Sequence, residues 1–461
     1  MVDTDASAIT FGTDGWRATL DQFTEPRVRL VGRAVASYLD DAAVPGPVAV
    51  GYDARETSPG FAEALAEELA AGGRDVVLPT RDCPTPALAW TVADGDFAGG
   101  LMVTASHNPP EYNGVKFVPA DGAPALPAVT DAIEAHLESP DASEEPRGAI
   151  RERSLVDPYL DHARAFVDAD LSGVTVAYDA MHGSGRGVTD ALLASAGATV
   201  RRLRCERDPT FGGTPPEPEP ERVPALVEAV TAGDADLGVV NDGDADRIGV
   251  VTPERGYLDP NRFFAALYAS LLEGDSGDAV RTVSTSSLVD RVAAAHDQAV
   301  HETAVGFKWV GAAMAEHDAL VGGEESGGFG VRGHLRNKDG VLVALLAAAA
   351  ERDRPIDARV DALEAAHGEI YQDRTSLDCP EERKEPAIGA LADGLPADVA
   401  GAAVASVNDV DGFKIHLEDG AWLLVRPSGT EPKLRIYAEG DSPGRVEVLL
   451  EAGRGLVEPL I

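Results

Sequence analysis

The sequence predicts an α/β protein of four domains. Three observations carry this: β-branched runs alternate with Ala/Leu/Glu-rich amphipathic stretches through three quarters of the chain, one strand-turn-helix unit occurs twice, and 461 residues divide into four units of about a hundred each.

The first unit starts as a strand at Val48 to Val50, passes through Gly51-Tyr52-Asp53-Ala54 and a turn at Ser58-Pro59-Gly60, and becomes helical from Phe61 to Ala71. The second starts at Val174 to Val176, passes through Ala177-Tyr178-Asp179-Ala180 and the Gly-rich Gly183 to Gly187, and becomes helical from Val188 to Ala196. Both read V-x-V-x-Y-D-A, turn, helix, and they begin 126 positions apart, the spacing of a duplicated domain. A fainter third copy is signalled at Thr282-Val283-Ser284. Breaks are expected at the acidic, Pro-containing Glu138 to Arg147, at Pro253 to Gly256, and at His367-Gly368. Beyond the last break the strands shorten, with Val425 to Thr430 and Leu434 to Ala438 the clearest segments. The expected domains are therefore 1–150, 151–253, 254–368 and 369–461.

Charge narrows the function. With 39 basic against 78 acidic residues the formal net charge is −39, which opposes nucleic acid and anionic membranes as partners. Only six of the basic residues are lysines, and so acidic a surface suits a high-salt cytoplasm, where acid is screened and keeps the protein in solution. Cys83, Cys205 and Cys379 are far apart with no CxxC pair and read as thiols of a reducing compartment. The start of the chain lacks a basic region followed by an apolar one, and the longest apolar run, Val341 to Ala350, is about half a membrane span. A cytoplasmic protein, monomeric or weakly dimeric, is expected.

Four motifs carry chemistry. Asn241-Asp242-Gly243-Asp244-Ala245-Asp246-Arg247 follows the apolar run Leu237 to Val240, so three carboxylates at i, i+2 and i+4 leave a strand end together, a set of hard oxygen ligands suited to Mg²⁺. An EF-hand is excluded, because Arg247 and Pro253 occupy the places where it needs Gly and Glu. Thr104-Ala105-Ser106-His107-Asn108-Pro109-Pro110, after the strand Gly100 to Val103 and ten residues before Lys116, places a hydroxyl nucleophile at a strand exit. No G-x-S-x-G surrounds Ser106.

Gly322-Gly323-Glu324-Glu325-Ser326-Gly327-Gly328, followed by Arg332-Gly333-His334 and Asn337-Lys338-Asp339-Gly340, combines acceptors for sugar hydroxyls with cations for an anion. Arg426-Pro427-Ser428-Gly429-Thr430-Glu431-Pro432-Lys433 offers hydroxyls, backbone donors and an Arg, the parts of a phosphate cradle. Gly183 to Gly187 fits neither dinucleotide nor P-loop spacing and reads as a strand-to-helix turn.

Together, TASHNPPEYNGVKF, DGDADR, GEESGG and RPSGTEPKLR, with Gly12-Thr13-Asp14-Gly15-Trp16-Arg17 near the start, resemble the α-D-phosphohexomutase family of phosphoglucomutases and phosphomannomutases over essentially the whole chain. The resemblance implies three related α/β mixed-sheet domains and a smaller α+β C-terminal domain around a central cleft. It implies Ser106 as the phosphoserine, with Asp242, Asp244 and Asp246 holding Mg²⁺ against it, and Lys116 as general acid or base beside His107. Glu324 and Ser326 would hold sugar hydroxyls, and Arg426, Ser428, Gly429 and Thr430 the phosphate that is not reacting. Arg17, Arg247, His334 and Lys338 would complete a positive cleft. The implied reaction interconverts hexose 1-phosphate and hexose 6-phosphate, with glucose favoured and mannose possible, through a hexose 1,6-bisphosphate that also serves as activator.

One departure bears on the sugar. Several branches of the family end the sugar loop in Ser-Gly-His, whereas here Ser326 is followed by Gly327-Gly328 and His334 comes later, closer to the phosphoglucomutase pattern. A phosphoglucosamine mutase is the alternative. A Mg²⁺-dependent sugar phosphatase would share the metal loop and cradle, and would release free phosphate. A silent phosphosugar-binding protein would be expected to lack Ser106, the Asp triad or Lys116.

Overall fold

The computed structural model describes residues 6–12, 14–138, 148–429 and 431–461. The expected break over Glu138 to Arg147 lies, but for its first residue, outside them.

Three of the four sheets share one plan. In each, two parallel strands joined by a helix are followed by a third parallel strand on the other side of the first, and then by an antiparallel fourth beside the third. The first sheet builds this from Val48–Tyr52, Val76–Pro79, Gly99–Val103 and Tyr112–Pro119; Trp16–Thr19 pairs antiparallel with Tyr112–Pro119 at one edge, and Ile150–Arg153 is parallel to Val76–Pro79 at the other. The second uses Thr175–Asp179, Thr199–Leu203, Leu237–Asn241 and Ile248–Thr252, with Gly256–Tyr257 at its edge. The third uses Ala279–Thr282, Val300–Thr303, Val321–Gly323 and Phe329–Val331, so Thr282-Val283-Ser284 marks a strand exit equivalent to those of the first two units.

This repetition positions the site. The turn between the third and fourth strand carries the Ser106 loop in the first domain, the Asp242 to Asp246 loop in the second and the Glu324 to Ser326 loop in the third. Each emerges at the carboxyl end of a buried parallel strand, where an open α/β sheet places its ligands.

The strands are buried on both faces, which is why they read as continuous apolar runs: Gly99–Val103 and Leu237–Asn241 have no exposed residue. The apolar run Val341 to Ala350 is the middle of the helix Gly340–Asp353, buried at the junction of the second and third domains, which explains an apolar surface nearly all round. Among the described residues no helix is long and apolar enough to cross a membrane. All three cysteines are free thiols.

The C-terminal domain differs. Its six strands, in the order Tyr371–Asp378, Lys433–Gly440, Trp422–Pro427, Phe413–Leu417, Ala402–Asn408 and Asp398–Val399, are all antiparallel, and the helices Glu381–Asp393 and Pro443–Val457 pack against them. It has its own core, and a small apolar seam of Val283, Trp422, Leu424 and Tyr437 joins it to the third domain. Gly368, with φ 84°, ends the helix Ile356–His367 at the expected break.

Candidate active site

Ser106 leaves the strand Gly99–Val103 in the left-handed region, with φ 49°, and is 1% exposed. A non-glycine residue stays there only when its surroundings impose it. Its N–H donates to Thr104 Oγ1 at 2.8 Å, and the Thr104 hydroxyl donates to Asp53 Oδ2 at 2.7 Å. The loop carbonyls are gathered by one buried guanidinium. Arg55 donates to the carbonyls of Ser106 (3.0 Å), Asn108 (2.7 Å), Pro109 (2.6 Å) and Tyr112 (3.1 Å), while its Nε donates to Asp53 Oδ2 at 3.0 Å.

The hydroxyl faces the second domain. Ser106 Oγ donates to Asp244 Oδ2 at 3.1 Å and accepts from Arg17 Nη2 at 3.2 Å. Thr85 fixes Asp244 from the first domain, through its N–H to the Asp244 carbonyl and its hydroxyl to Oδ2. Gly243 is needed for this approach, since a Cβ there would lie 2.4 Å from the Ser106 carbonyl oxygen.

Asp242, Asp244 and Asp246 are buried, and one carboxylate oxygen from each lies within 4.8 Å of the others. Each keeps one buried oxygen without a hydrogen-bond partner: Oδ2 of Asp242, Oδ1 of Asp244 and Oδ1 of Asp246. Three carboxylates gathered this way, each with a buried oxygen to spare, fit a hard divalent cation. Burial, reinforced by the charges of Asp244 and Asp246, pushes the Asp242 carboxyl well above the usual carboxylate range. Asp244 is held low, because Lys116 and the Thr85 hydroxyl outweigh its burial.

Cations crowd the same place. Lys116 Nζ lies 2.9 Å from Asp244, 3.0 Å from Asp246 and 3.0 Å from Asp14, and Lys338 Nζ lies 3.0 Å from Asp246. Burial works against the Lys116 charge, but Asp14, Asp244 and Asp246 more than restore it, so the ammonium is held protonated. Burial, with Arg247 and Arg17 nearby, pushes the His107 imidazole far down, so it is neutral.

A cleft of about 930 Å³ opens beside this centre and touches all four domains. Its wall includes Arg17, His107, Arg247, Glu324, Ser326 and Lys338 of the expected residues. Glu324 Oε1 accepts from the Gly306 N–H at 3.0 Å, and burial raises its carboxyl against the pull of Lys338. The C-terminal domain contributes Arg426, with Arg374 and Arg435, to the wall. Seven guanidinium and ammonium groups share this wall with seven acidic side chains, so in a chain of net charge −39 the cleft is balanced locally and can admit an anion.

Three expectations land elsewhere. His334 does not line the cleft: its imidazole is fully buried, with Nε2 2.7 Å from Asp339 Oδ2 and Nδ1 2.9 Å from His162 Nε2. Asp339 caps the helix Gly340–Asp353 and also accepts from the Tyr159 hydroxyl, and this buried network draws His334 inward. Ser428 is buried and Gly429 exposed, and neither lines the cleft; the Ser428 carbonyl accepts from Lys384 Nζ at 2.7 Å beneath the loop. Thr430 lies outside the described residues.

Comparison with known proteins now decides the family. Models of the phosphoglucomutase/phosphomannomutase α/β/α domains I, II and III match residues 8–144, 157–256 and 259–366, and that of the C-terminal domain matches 378–454. The chain belongs to the phosphoglucomutase/phosphomannomutase family. It is 34% identical, over 95% of both chains, to a Methanopyrus kandleri protein named as a phosphoglucosamine mutase. It is 31% identical, over 97% of this chain and 98% of the other, to a Thermococcus kodakarensis protein named phosphoglucomutase/phosphomannomutase. A solved Thermus thermophilus structure, named for phosphomannomutase, superposes with a TM-score of 0.84 at 34% identity over 98% of this chain and 99% of that one.

This phosphohexomutase is therefore an intramolecular phosphotransferase of a Mg²⁺-dependent family, and its Asp triad suits that metal. The motifs did not mark Asp53 and Arg55 of this phosphohexomutase as functional, although the repeated Y-D-A held the clue to Asp53. Lys308, on the cleft wall, and Asp411, beneath Arg426, had no motif to point to them.

Proposed function

We propose that the protein interconverts hexose 1-phosphate and hexose 6-phosphate, glucose favoured, with Ser106 as the phosphoryl carrier. The observation that supports this best is Ser106 hydrogen-bonded to one of three buried carboxylates that each keep an orphaned oxygen, in a molecule whose cleft carries Arg426 on the wall given by the C-terminal domain. One phosphate is placed to react while the other is only held.

Asp242, Asp244 and Asp246 would hold Mg²⁺, which when bound neutralises charge on the transferring phosphoryl group. The remaining work falls to the chain's own residues. A sugar hydroxyl attacks the phosphorus on Ser106, and the bond to Oγ breaks as the new O–P bond forms; the Lys116 ammonium gives a proton to the departing Oγ and is restored by the proton of the attacking hydroxyl. Glu324 and Ser326 orient the ring, and Arg426 holds the distal phosphate. The hexose 1,6-bisphosphate turns over in the cleft, Arg426 grips the phosphate just formed, and the other returns to Ser106. The leaving sugar oxygen then recovers the proton.

Free hexose 1,6-bisphosphate would restore the phosphoenzyme after a lost intermediate and so act as activator. A glucosamine phosphate is the second reading, favoured by the name of the Methanopyrus relative. A coupled assay with Mg²⁺, high salt and trace hexose 1,6-bisphosphate would compare glucose, mannose and glucosamine 1-phosphates while following free phosphate. Conversion of one to its 6-phosphate without phosphate release supports the mutase and identifies the sugar; stoichiometric phosphate release overturns it in favour of a phosphatase.

A further inference from the structure

Two adjacent backbone amides join the two ends of the cleft. The Val305 N–H donates to Asp411 Oδ2 of the C-terminal domain at 3.0 Å, and the Gly306 N–H donates to Glu324 Oε1 of the sugar loop at 3.0 Å. The same Asp411 Oδ2 lies 3.1 Å from Arg426 Nε and 2.9 Å from Nη2. Gly306 adopts φ 118° and ψ 125°, a conformation that a side chain would strain, so this segment holds a backbone path that glycine permits. Val305, Gly306, Glu324 and Arg426 all line the cleft, and Asp411 does not.

We infer that Asp411 is a positioning residue that couples the distal phosphate site to the sugar site: it orients Arg426 and, through Val305-Gly306, Glu324. This rests on the mutase reading. One carboxylate oxygen holds the guanidinium that grips the phosphate and the segment that carries the sugar acceptor, so closure of the C-terminal domain on a phosphate and alignment of Glu324 on the ring occur together. A bisphosphate that must turn over has to be loosened at both groups and gripped again at both, and this linkage makes the two events one. Asp411 itself touches neither phosphate nor sugar, so it acts through its two partners.

The variants Asp411→Asn and Asp411→Ala separate the two functions. Asn keeps an oxygen for the Val305 N–H and removes the charge facing Arg426, whereas Ala removes both. Hydrogen exchange of residues 304–307, measured without sugar, is expected to accelerate at least about tenfold in Asp411→Ala and to stay near wild type in Asp411→Asn. In the mutase assay both variants are expected to need about tenfold more hexose 1,6-bisphosphate for full activity, while a single turnover from phosphorylated Ser106 stays within about twofold of wild type. Discrimination between glucose and mannose phosphates is expected to shrink in Asp411→Ala and to persist in Asp411→Asn.

Unchanged exchange in Asp411→Ala overturns the brace. Changed exchange with an unchanged bisphosphate requirement and unchanged sugar discrimination overturns the coupling. If Asp411→Ala does not fold, the bisphosphate requirement of Asp411→Asn decides the matter, and an unchanged value overturns the inference. A wild type inert on every hexose phosphate removes the mutase reading and with it the coupling, while exchange still decides whether Asp411 braces the segment.

Discussion

Ser106 and Asp244, 138 residues apart and in different domains, meet through a 3.1 Å hydrogen bond between the serine hydroxyl and carboxylate oxygen Oδ2. The other oxygen of Asp244 is one of three buried and unpartnered ones, so the same carboxylate holds the Ser106 hydroxyl and keeps an oxygen to spare for a cation.

The crowding of that triad has a thermodynamic consequence. With no cation bound, the Asp242 carboxyl is raised by burial and by its two neighbours, so its ionisation works against the fold as pH rises above the ordinary 3.8. Asp242→Asn is therefore expected to raise the stability of the metal-free protein at pH 7 by about 1 kcal/mol or more, and to abolish both the Mg²⁺-induced rise in melting temperature and the mutase activity. Thermal melts with Mg²⁺ and with chelator check this; a Mg²⁺-induced rise that survives in the variant would remove Asp242 from the metal site.

Arg55 spends its guanidinium on four loop carbonyls and Asp53, a planar fork that an ammonium cannot reproduce. Arg55→Lys is expected to destabilise the protein by about 2–4 kcal/mol and to slow phosphorylation of Ser106 more than it weakens substrate binding. Chemical denaturation and the kcat against KM split measure the two effects. A variant with a normal kcat would show that the left-handed backbone at Ser106 holds without this support.

Gly243 tests the domain contact itself. Gly243→Ala would set a methyl 2.4 Å from the Ser106 carbonyl, and relieving that overlap must move one of the two loops. An overpacking cost of about 1–3 kcal/mol and a loss of at least about a hundredfold in kcat are expected. Activity within threefold of wild type would mean that the loops need not meet this closely.

How much of this was legible follows from where each residue gets its role. The three domain motifs were readable because each sits whole in one turn between the third and fourth strands, so local sequence contains the constellation. The Val48 and Val174 units were readable as a repeat, and the third sheet follows their strand order although its sequence signal at Thr282 is faint. Arg55 and Asp411 were opaque because their partners are loop carbonyls or an amide in another domain, contacts that leave no spacing in the chain. His334 was misplaced because its nearness to Lys338 in sequence suggested the cleft, while the cap at Asp339 turns it into the core.

Lys414 gives the seam between the third and C-terminal domains a pH dependence with a definite sign. It is fully buried, with Nζ 2.7 Å from the Val283 carbonyl, 2.6 Å from Glu302 Oε2 and 4.4 Å from the centre of the Trp422 ring. Burial, aided by Arg281 and opposed by Glu302 and Glu439, pulls its amine from the ordinary 10.5 down to about 8. Between those values the unfolded chain carries a proton that the folded protein has lost. Unfolding must take up that proton, so stability rises with pH from about 8 to 10.5, by at most about 3 kcal/mol at roughly 1.4 kcal/mol per pH unit. Below about pH 8 both states are protonated and the buried ammonium weighs on the fold in full. Lys414→Met keeps the stem against Trp422 and removes the titration, while Arg281 still pairs with Glu302. The variant is expected to lose the alkaline slope and to match or exceed wild-type stability at pH 7. Urea denaturation from pH 7 to 10.5 measures both; an alkaline slope equal to that of wild type would assign the titration to another group.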